Sequence, residues 1–422
     1  MRGILATVLF LAAGVVALLA QRPAAELNIY YIDTEGGQST LFVSPSGESL
    51  LVDTGNAGER DLGRIVETVK GAGVKQIDHM WTTHYHGDHV GSLLALAKQV
   101  PIMHYYDHGK PHPNDRIVSA AFLTSYEELT QGKRTIVKPG DKVKMAGLDI
   151  TAVASANQFM RSNLPGGGRA NAACAGVQKK DESAYMDPDN GESAGFLLAY
   201  GRFRTVDLGD LTWNGELDLM CPTNRIGTVD LYLTSHHGLA KSGSPALVHG
   251  LQPRVAVMNN GTRKGGELDT FKVLRELSGL EDLWQLHWSY NAGLENAAAR
   301  FIANVDDPAT IATVLTTPAP NPGAPRAGGP AGPGGPGAPG GGPARGAGGP
   351  GGPGLTGPGA PGAPGAASAP GFGPGRGAGG PGGPGAAAHT PAYLIKVTAQ
   401  QDGTFTVTNT RNGFSKTYPP RP

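Results

Sequence analysis

IDHMWTTHYHGDH, residues 77–89, is the stretch from which the fold of this chain is read. Ile77 to Thr82 has the β-branched and aromatic character of a strand. It runs into three His and one Asp within six positions: His84, His86, Asp88 and His89. His accounts for only 12 of 422 residues, so this density is not that of an ordinary solvated histidine cluster. At a strand end, residues two apart point to the same side, which gives His84 and His86 a common face. Gly87 lets the chain turn sharply, and Asp88 and His89 then address a second point close by. Two nitrogens on one side and an oxygen plus a nitrogen on the other suit two borderline divalent cations, Zn²⁺ first, with Mn²⁺ or Fe as alternatives. Such a pair can share a bridging hydroxide and hold both oxygens of a displacement.

Working outward, the preceding strand Ser49 to Val52 ends in Asp53-Thr54-Gly55, beside the histidine loop. Asp53 is therefore expected to orient a ligand histidine through its second nitrogen. Leu27–Ile32, Thr40–Val43, Leu148–Ala154, Gly195–Tyr200, Phe203–Val206, Thr228–Leu233 and Arg254–Met258 read as further strands, with a hairpin at Gly201-Arg202. Asp61–Val69, Val90–Leu96, Pro245–Gly250 and Thr270–Leu277 read as helices. Strands and helices mixed without a long run of either make an α/β domain over residues 26–316. The tail, 389–422, alternates from Tyr393 to Thr408 around Asp402-Gly403, a hairpin signal. A lone hairpin is marginal in water, so it is expected to dock on the main sheet.

HxHxDH after a strand ending in Asp-Thr-Gly resembles the signature of the metallo-β-lactamase superfamily. The branch it most resembles is the hydrolase domain of bacterial DNA-uptake (competence) proteins and their stand-alone relatives. Ile32-Asp33-Thr34-Glu35-Gly36-Gly37-Gln38-Ser39 is similar to that branch's opening motif, altered in the middle. Asp207-Leu208-Gly209-Asp210, Leu233-Thr234-Ser235-His236-His237-Gly238-Leu239 and the turn Asp189-Asn190-Gly191-Glu192-Ser193 resemble its later elements. The resemblance covers Leu27 to Leu286 and implies an αββα sandwich with the site on one edge. It implies that Asp210 is the carboxylate shared by both metals. His236 becomes the last ligand of the second metal, beside Asp88 and His89, and His237 contacts substrate or protonates a leaving group. Spacing alone does not choose between the two adjacent histidines; His236 is the preferred ligand. Asp88, Asp210 and His237 are thus the residues assigned to the chemistry.

One element departs from the superfamily pattern. Where many members carry a third His for the first metal, this chain reads Ser155-Ala156-Asn157. The first metal is left with His84, His86 and Asp210, completed by Asn157 or water. His104 is a remote stand-in. His108 and His112 read as rim residues, His79 as structural, and His287 beside Trp288 as a possible pocket residue. The long loop from Asn157 to Asp189, with Gly166-Gly167-Gly168, reads as a lid.

The ends of the chain set its context. Arg2 followed by the uncharged apolar run Ile4–Ala20 reads as a signal peptide within residues 1–25, with no stable membrane span beyond it, so the protein is expected to be exported to the periplasm or secreted. Residues 317–388 are almost wholly Gly, Pro and Ala and are expected to be disordered. Lys and Arg total 35 and Asp and Glu total 35, so charge gives no support for a nucleic-acid partner. Cys174 and Cys221 can pair in an exported protein, and their separation leaves the matter open. The expected function is an exported two-metal hydrolase acting on a small-molecule or cell-wall-derived ester, a phosphodiester first. A β-lactam or lactone hydrolase and a metal-holding binding module without turnover are the alternatives.

Overall fold

A computed structural model describes residues 26–305 and 389–421. The expected signal segment and the Gly/Pro-rich stretch lie outside the described residues. Two nine-stranded sheets pack face to face. In the first, the strand order is Ser415–Tyr418, Phe405–Asn409, Ile395–Ala399, Leu27–Tyr31, Thr40–Val43, Ser49–Val52, Ile77–Trp81, Ile102–Asp107 and Arg134–Ile136. In the second it is Ile302–Asn304, Asp282–His287, Val255–Met258, Leu231–Leu233, Phe203–Asp207, Gly195–Tyr200, Leu148–Ser155 and Lys142–Met145, with the short Gln158–Phe159 paired to Leu148–Ser155.

The core follows from alternation along these strands. Ile29, Tyr31, Phe42, Leu50, Val52 and Trp81 face Phe196, Leu198, Phe203, Leu231, Val255 and Trp284 between the sheets. The other face of the first sheet is covered by Glu59–Gly71, Leu93–Leu96 and Ala120–Thr130 through Leu62, Ile65, Leu93, Leu96 and Tyr126. The other face of the second sheet is covered by Trp213–Met220, Pro245–Leu251 and Leu268–Arg275 through Leu219, Leu247, Leu251, Phe271 and Leu274. This is the αββα sandwich.

The tail joins the first sheet. Ile395–Ala399 runs antiparallel to Leu27–Tyr31, with Ile29 opposite Val397. A third tail strand, Ser415–Tyr418, is not marked by the hairpin signal and pairs with Phe405–Asn409. Among the described residues no helix is long and apolar enough to cross a membrane.

Two expectations change. The helix over Val90–Leu96 is instead two short turns, Gly87–Val90 and Leu93–Leu96. The chain is squeezed between them: a Cβ on Gly91 would lie 2.2 Å from the Ala57 amide nitrogen. The loop from Asn157 to Asp189 is also no free lid. Arg169–Ala170 pairs with Thr223–Asn224, and Cys174 is disulfide-bonded to Cys221. Lys180 Nζ sits 3.5 Å from the Trp213 ring centroid, whose Nε1 donates to the Gln178 carbonyl at 3.0 Å. The loop is packed along Trp213 and Lys241, so sequence length alone overstated its freedom.

Candidate metal centre

The histidine loop leaves the strand Ile77–Trp81 at the edge of the sandwich, where Asp53 ends the neighbouring parallel strand. Asp53 is fully buried and fixes this loop at three points. Its carboxylate accepts the Thr83 amide at 2.8 Å and the Thr83 hydroxyl at 2.6 Å, and lies 2.7 Å from His89 Nδ1. That leaves His89 Nε2 directed inward. Burial pushes the Asp53 pKa up, against the pull of His89 and Thr83. Gly209, at φ +55°, brings the Asp207–Asp210 turn against the same loop; a Cβ there would lie 2.6 Å from Thr83 Cβ. The Gly209 carbonyl accepts the His236 amide at 3.0 Å, which joins the third element of the site to the second.

Asp210 is the focus of the arrangement. Its Oδ2 lies 3.2 Å from His89 Nε2, 3.3 Å from His236 Nε2, 3.4 Å from His237 Nε2 and 3.9 Å from His84 Nε2. Asp88 Oδ2 lies 3.6 Å from His89 Nε2 and 3.3 Å from His237 Nε2. Asp88, His89, Asp210 and His237 bring one ligand atom each within 4.8 Å of one another. On the other side His84 Nε2 and His86 Nδ1 face each other at 3.0 Å. His86 is turned there by Asp115, whose Oδ2 lies 3.0 Å from His86 Nε2.

The donor set fits divalent cations. His89 Nε2 and His237 Nε2 are 3.2 Å apart with two carboxylate oxygens against them, a spacing that also suits two nitrogens ligating one tetrahedral cation. Asp210 Oδ1 is buried without a hydrogen-bond partner, a cost that a bound ion at the cluster would help offset. Burial, with His89 and His86 nearby, holds the His84 pKa well below the usual range, the neutral form that binds metal. Burial raises the Asp88 and Asp210 pKa values, yet Lys264 and His89 overcome it for Asp88, and His236 and His89 for Asp210, leaving both well below the carboxylate range.

Several sequence expectations are placed differently. His237, not the preferred His236, closes the group with Asp88 and His89. Both residues adopt left-handed backbone, φ 55°, so neither strand alternation nor helix phase governs where the imidazoles point. His236 instead faces Asp210 Oδ2 and, through Nδ1, the Ser242 hydroxyl at 3.2 Å. Burial pushes its pKa down to about 4. Asn157 makes no described hydrogen bond to the cluster. It is exposed, at φ 53° beside Ala156 at φ 50°, in the two-residue turn between Leu148–Ser155 and Gln158–Phe159. Asn is chosen there for turn chemistry. His104 is exposed on its strand and stacks on His79, ring centroids 6.0 Å apart, while His79 Nε2 pairs with Glu48 at 2.9 Å.

His287 belongs to a separate cluster. Asp33, Glu35, His287 and His389 bring ligand atoms within 4.8 Å of one another. Here the chain meets its own charges. His287 Nε2 is 2.6 Å from Asp33 Oδ1, a direct hydrogen bond, and Arg64 donates to Asp33 Oδ2 at 2.9 Å and reaches Glu35 at 3.3 Å. Arg64 also donates to the His389 carbonyl at 2.6 Å, which fastens the start of the tail.

Sequence reasoning missed Asp115, which aims His86, and Lys264, whose ammonium contacts Asp88. Neither lies in a motif. It also gave Asp189 no role: its carboxylate accepts the Tyr85 amide at 2.9 Å and the His112 amide at 2.7 Å, bracing the middle of the histidine loop.

The position of Asp53 carries a prediction. Asp53→Ala frees the His89 ring and unties Thr83, and second-sphere losses of this kind cost about 10–100-fold in metal affinity. Competition with a chromophoric chelator should show that loss. A lowered melting temperature with unchanged affinity would mean that Asp53 only supports the fold.

Residues 33–143 match the model of the metallo-β-lactamase superfamily. A ribonuclease Z of Methanopyrus kandleri is 31% identical over 115 residues, 27% of this chain and 38% of that protein. A competence protein ComA of Neisseria gonorrhoeae is 23% identical over 239 residues, 57% of this chain and 28% of that protein. This chain thus spans well under half the length of these two relatives. Among solved structures, the metallo-β-lactamase fold protein YhfI from Bacillus subtilis aligns with a TM-score of 0.39 at 15% identity, covering 61% of this chain and 96% of that one. With its histidine loop inside the matched segment and an αββα sandwich around it, this chain has a domain similar to those of the metallo-β-lactamase superfamily.

Proposed function

We propose that this chain is an exported metal-dependent hydrolase that holds two divalent cations and cleaves a small phosphodiester or related ester. One observation carries the reading: a single buried carboxylate oxygen, Asp210 Oδ2, stands among four imidazole nitrogens. His84, His86 and Asp210 would hold one cation; Asp88, His89, Asp210 and His237 would hold the other. When bound, such a pair lowers the pKa of water and offsets negative charge developing on the substrate. The protein's part is to position. Asp53 and Asp115 lock two imidazoles, and the surrounding sheet edge keeps the cluster largely out of water. His237 turns its Nε2 into the cluster and keeps its Nδ1 buried, which favours a ligand role for it over delivery of a proton to the leaving group.

The phosphodiester preference rests on the likeness to the competence protein and the ribonuclease Z, and the balanced charge argues for a small or wall-derived substrate over a long nucleic acid. Export to the periplasm or beyond rests on Arg2 and the apolar run Ile4–Ala20. Hydrolysis of bis(p-nitrophenyl) phosphate should fall at least about a hundredfold on chelation and return with Zn²⁺ or Mn²⁺. The panel should include a β-lactam and a lactone. Turnover of those alone would move the substrate class, and bound metal with no turnover of any ester would make the domain a binding module.

A further inference from the structure

We infer that Lys264 is the anion-recognition residue of this site, its ammonium taking a charged oxygen of a phosphate-type substrate once a cation occupies Asp88. The inference rests on the metal-hydrolase reading above and names the group that reads the substrate's charge. Lys264 stands on the loop Asn259–Gly266, which follows the strand Val255–Met258.

That loop is fastened on all sides. The Gly261 amide donates to the Lys264 carbonyl at 2.8 Å, and the Gly266 amide donates to the His237 carbonyl at 2.9 Å. Asn291 Nδ2 donates to the Gly265 carbonyl at 3.0 Å. A Cβ on Gly36 would come within 3.0 Å of Lys264 Cβ, so the root of the side chain is held as well. Freedom remains in the stem beyond it. The Nζ contacts Asp88 Oδ2, the same oxygen that faces His89 and His237.

The Lys264 side chain is 37% exposed and that of Asp88 19%, against 3% for Asp210, so this contact forms the open side of the cluster. An ammonium and a divalent cation cannot share one carboxylate oxygen without like-charge repulsion. With the cation on Asp88 Oδ2, Lys264 is displaced from that oxygen but cannot withdraw its root. Its ammonium, a compact charge on a flexible four-carbon stem, is then free at the mouth to meet an anionic oxygen. The adjacent Arg263 does not compete, because its guanidinium lies over the Tyr290 ring at 4.5 Å.

The test compares wild type, Lys264→Met and Lys264→Arg as full chains loaded with Zn²⁺. Inorganic phosphate is titrated by calorimetry, and metal content is measured on the same samples. Removing one charge-assisted hydrogen bond should weaken phosphate about 10–100-fold in Lys264→Met, with metal content unchanged. Lys264→Arg should recover most of the loss. Without metal, Lys264→Met should take up Zn²⁺ at least as tightly as wild type, because a competing cation is gone.

Equal phosphate binding by wild type and Lys264→Met would overturn the inference, as would no phosphate binding by loaded wild type. Loss of metal in step with phosphate would also overturn it, since Lys264 would then be a prop for Asp88. Failure of the hydrolase reading looks different: no ester is turned over, although phosphate affinity still follows residue 264.

Discussion

Asp210→Asn should lower kcat/KM on a phosphodiester by about a thousandfold or more, the scale of losing a principal charge-stabilising group, and should remove at least one cation per chain. The substitution keeps size and shape, so the loss reports charge. Asp210 Oδ2 lies within 3.4 Å of the Nε2 atoms of His89, His236 and His237. Those rings come from two elements brought together by the Gly209 turn. A neutral amide would turn either a dipole or its own N–H groups toward the cations and would no longer screen them from each other. The fold should survive, because the Asp210 Oδ1 atom supports nothing else. Kinetics and metal analysis on one preparation check this. Retention of metal content and of a rate within tenfold of wild type would mean that the carboxylate is not shared.

Ending the chain at residue 388 should leave a protein that does not fold. Ile395, Val397, Phe405, Val407 and Tyr418 are fully buried, and all belong to the core between the sheets. At roughly 1.5–3 kcal/mol for each large apolar side chain, their loss removes on the order of 10 kcal/mol, comparable with the whole stability of a typical domain. Polar contacts are lost too. Trp284 Nε1 donates to the Tyr418 hydroxyl at 3.1 Å, and that hydroxyl donates to Asp282 Oδ2 at 2.6 Å. Leu27–Tyr31 would become an open edge, a template for aggregation. Circular dichroism and thermal melting should show an unfolded or insoluble product. A soluble truncation melting within about 5 °C of the full chain would contradict this, since such a shift answers to only about 1–2 kcal/mol.

How far the sequence could be read depended on whether the information was local. Ile77–His89 was legible because the strand, the Gly87 turn and the ligand types sit in one short window. Asp53 was legible because it ends a strand that the topology sets beside that window. Strands such as Leu27–Tyr31 and Gly195–Tyr200 announced themselves by β-branched and aromatic content, whereas Arg134–Ile136, Lys142–Met145 and Ser415–Tyr418 lie at sheet edges and are polar at half or more of their positions. Edge strands carry such residues to discourage further pairing, and this hides them from a hydrophobic pattern.

The site residues that escaped share another cause. Lys264 is 176 positions from Asp88, and Asp115 is 29 from His86; the contact exists only after the sandwich closes. The choice between His236 and His237 was hidden in two consecutive left-handed residues, a conformation that composition does not signal for His. Asn157 is the opposite case. Its amide suggested a ligand, while its local role is the turn.

The central claim is a pair of cations sharing Asp210, and anomalous diffraction from crystals grown with Zn²⁺ tests it most directly. Two anomalous peaks are predicted, one bounded by His84, His86 and Asp210, the other by Asp88, His89, Asp210 and His237. A single peak remote from Asp210, or density only among Asp33, Glu35, His287 and His389, would contradict it.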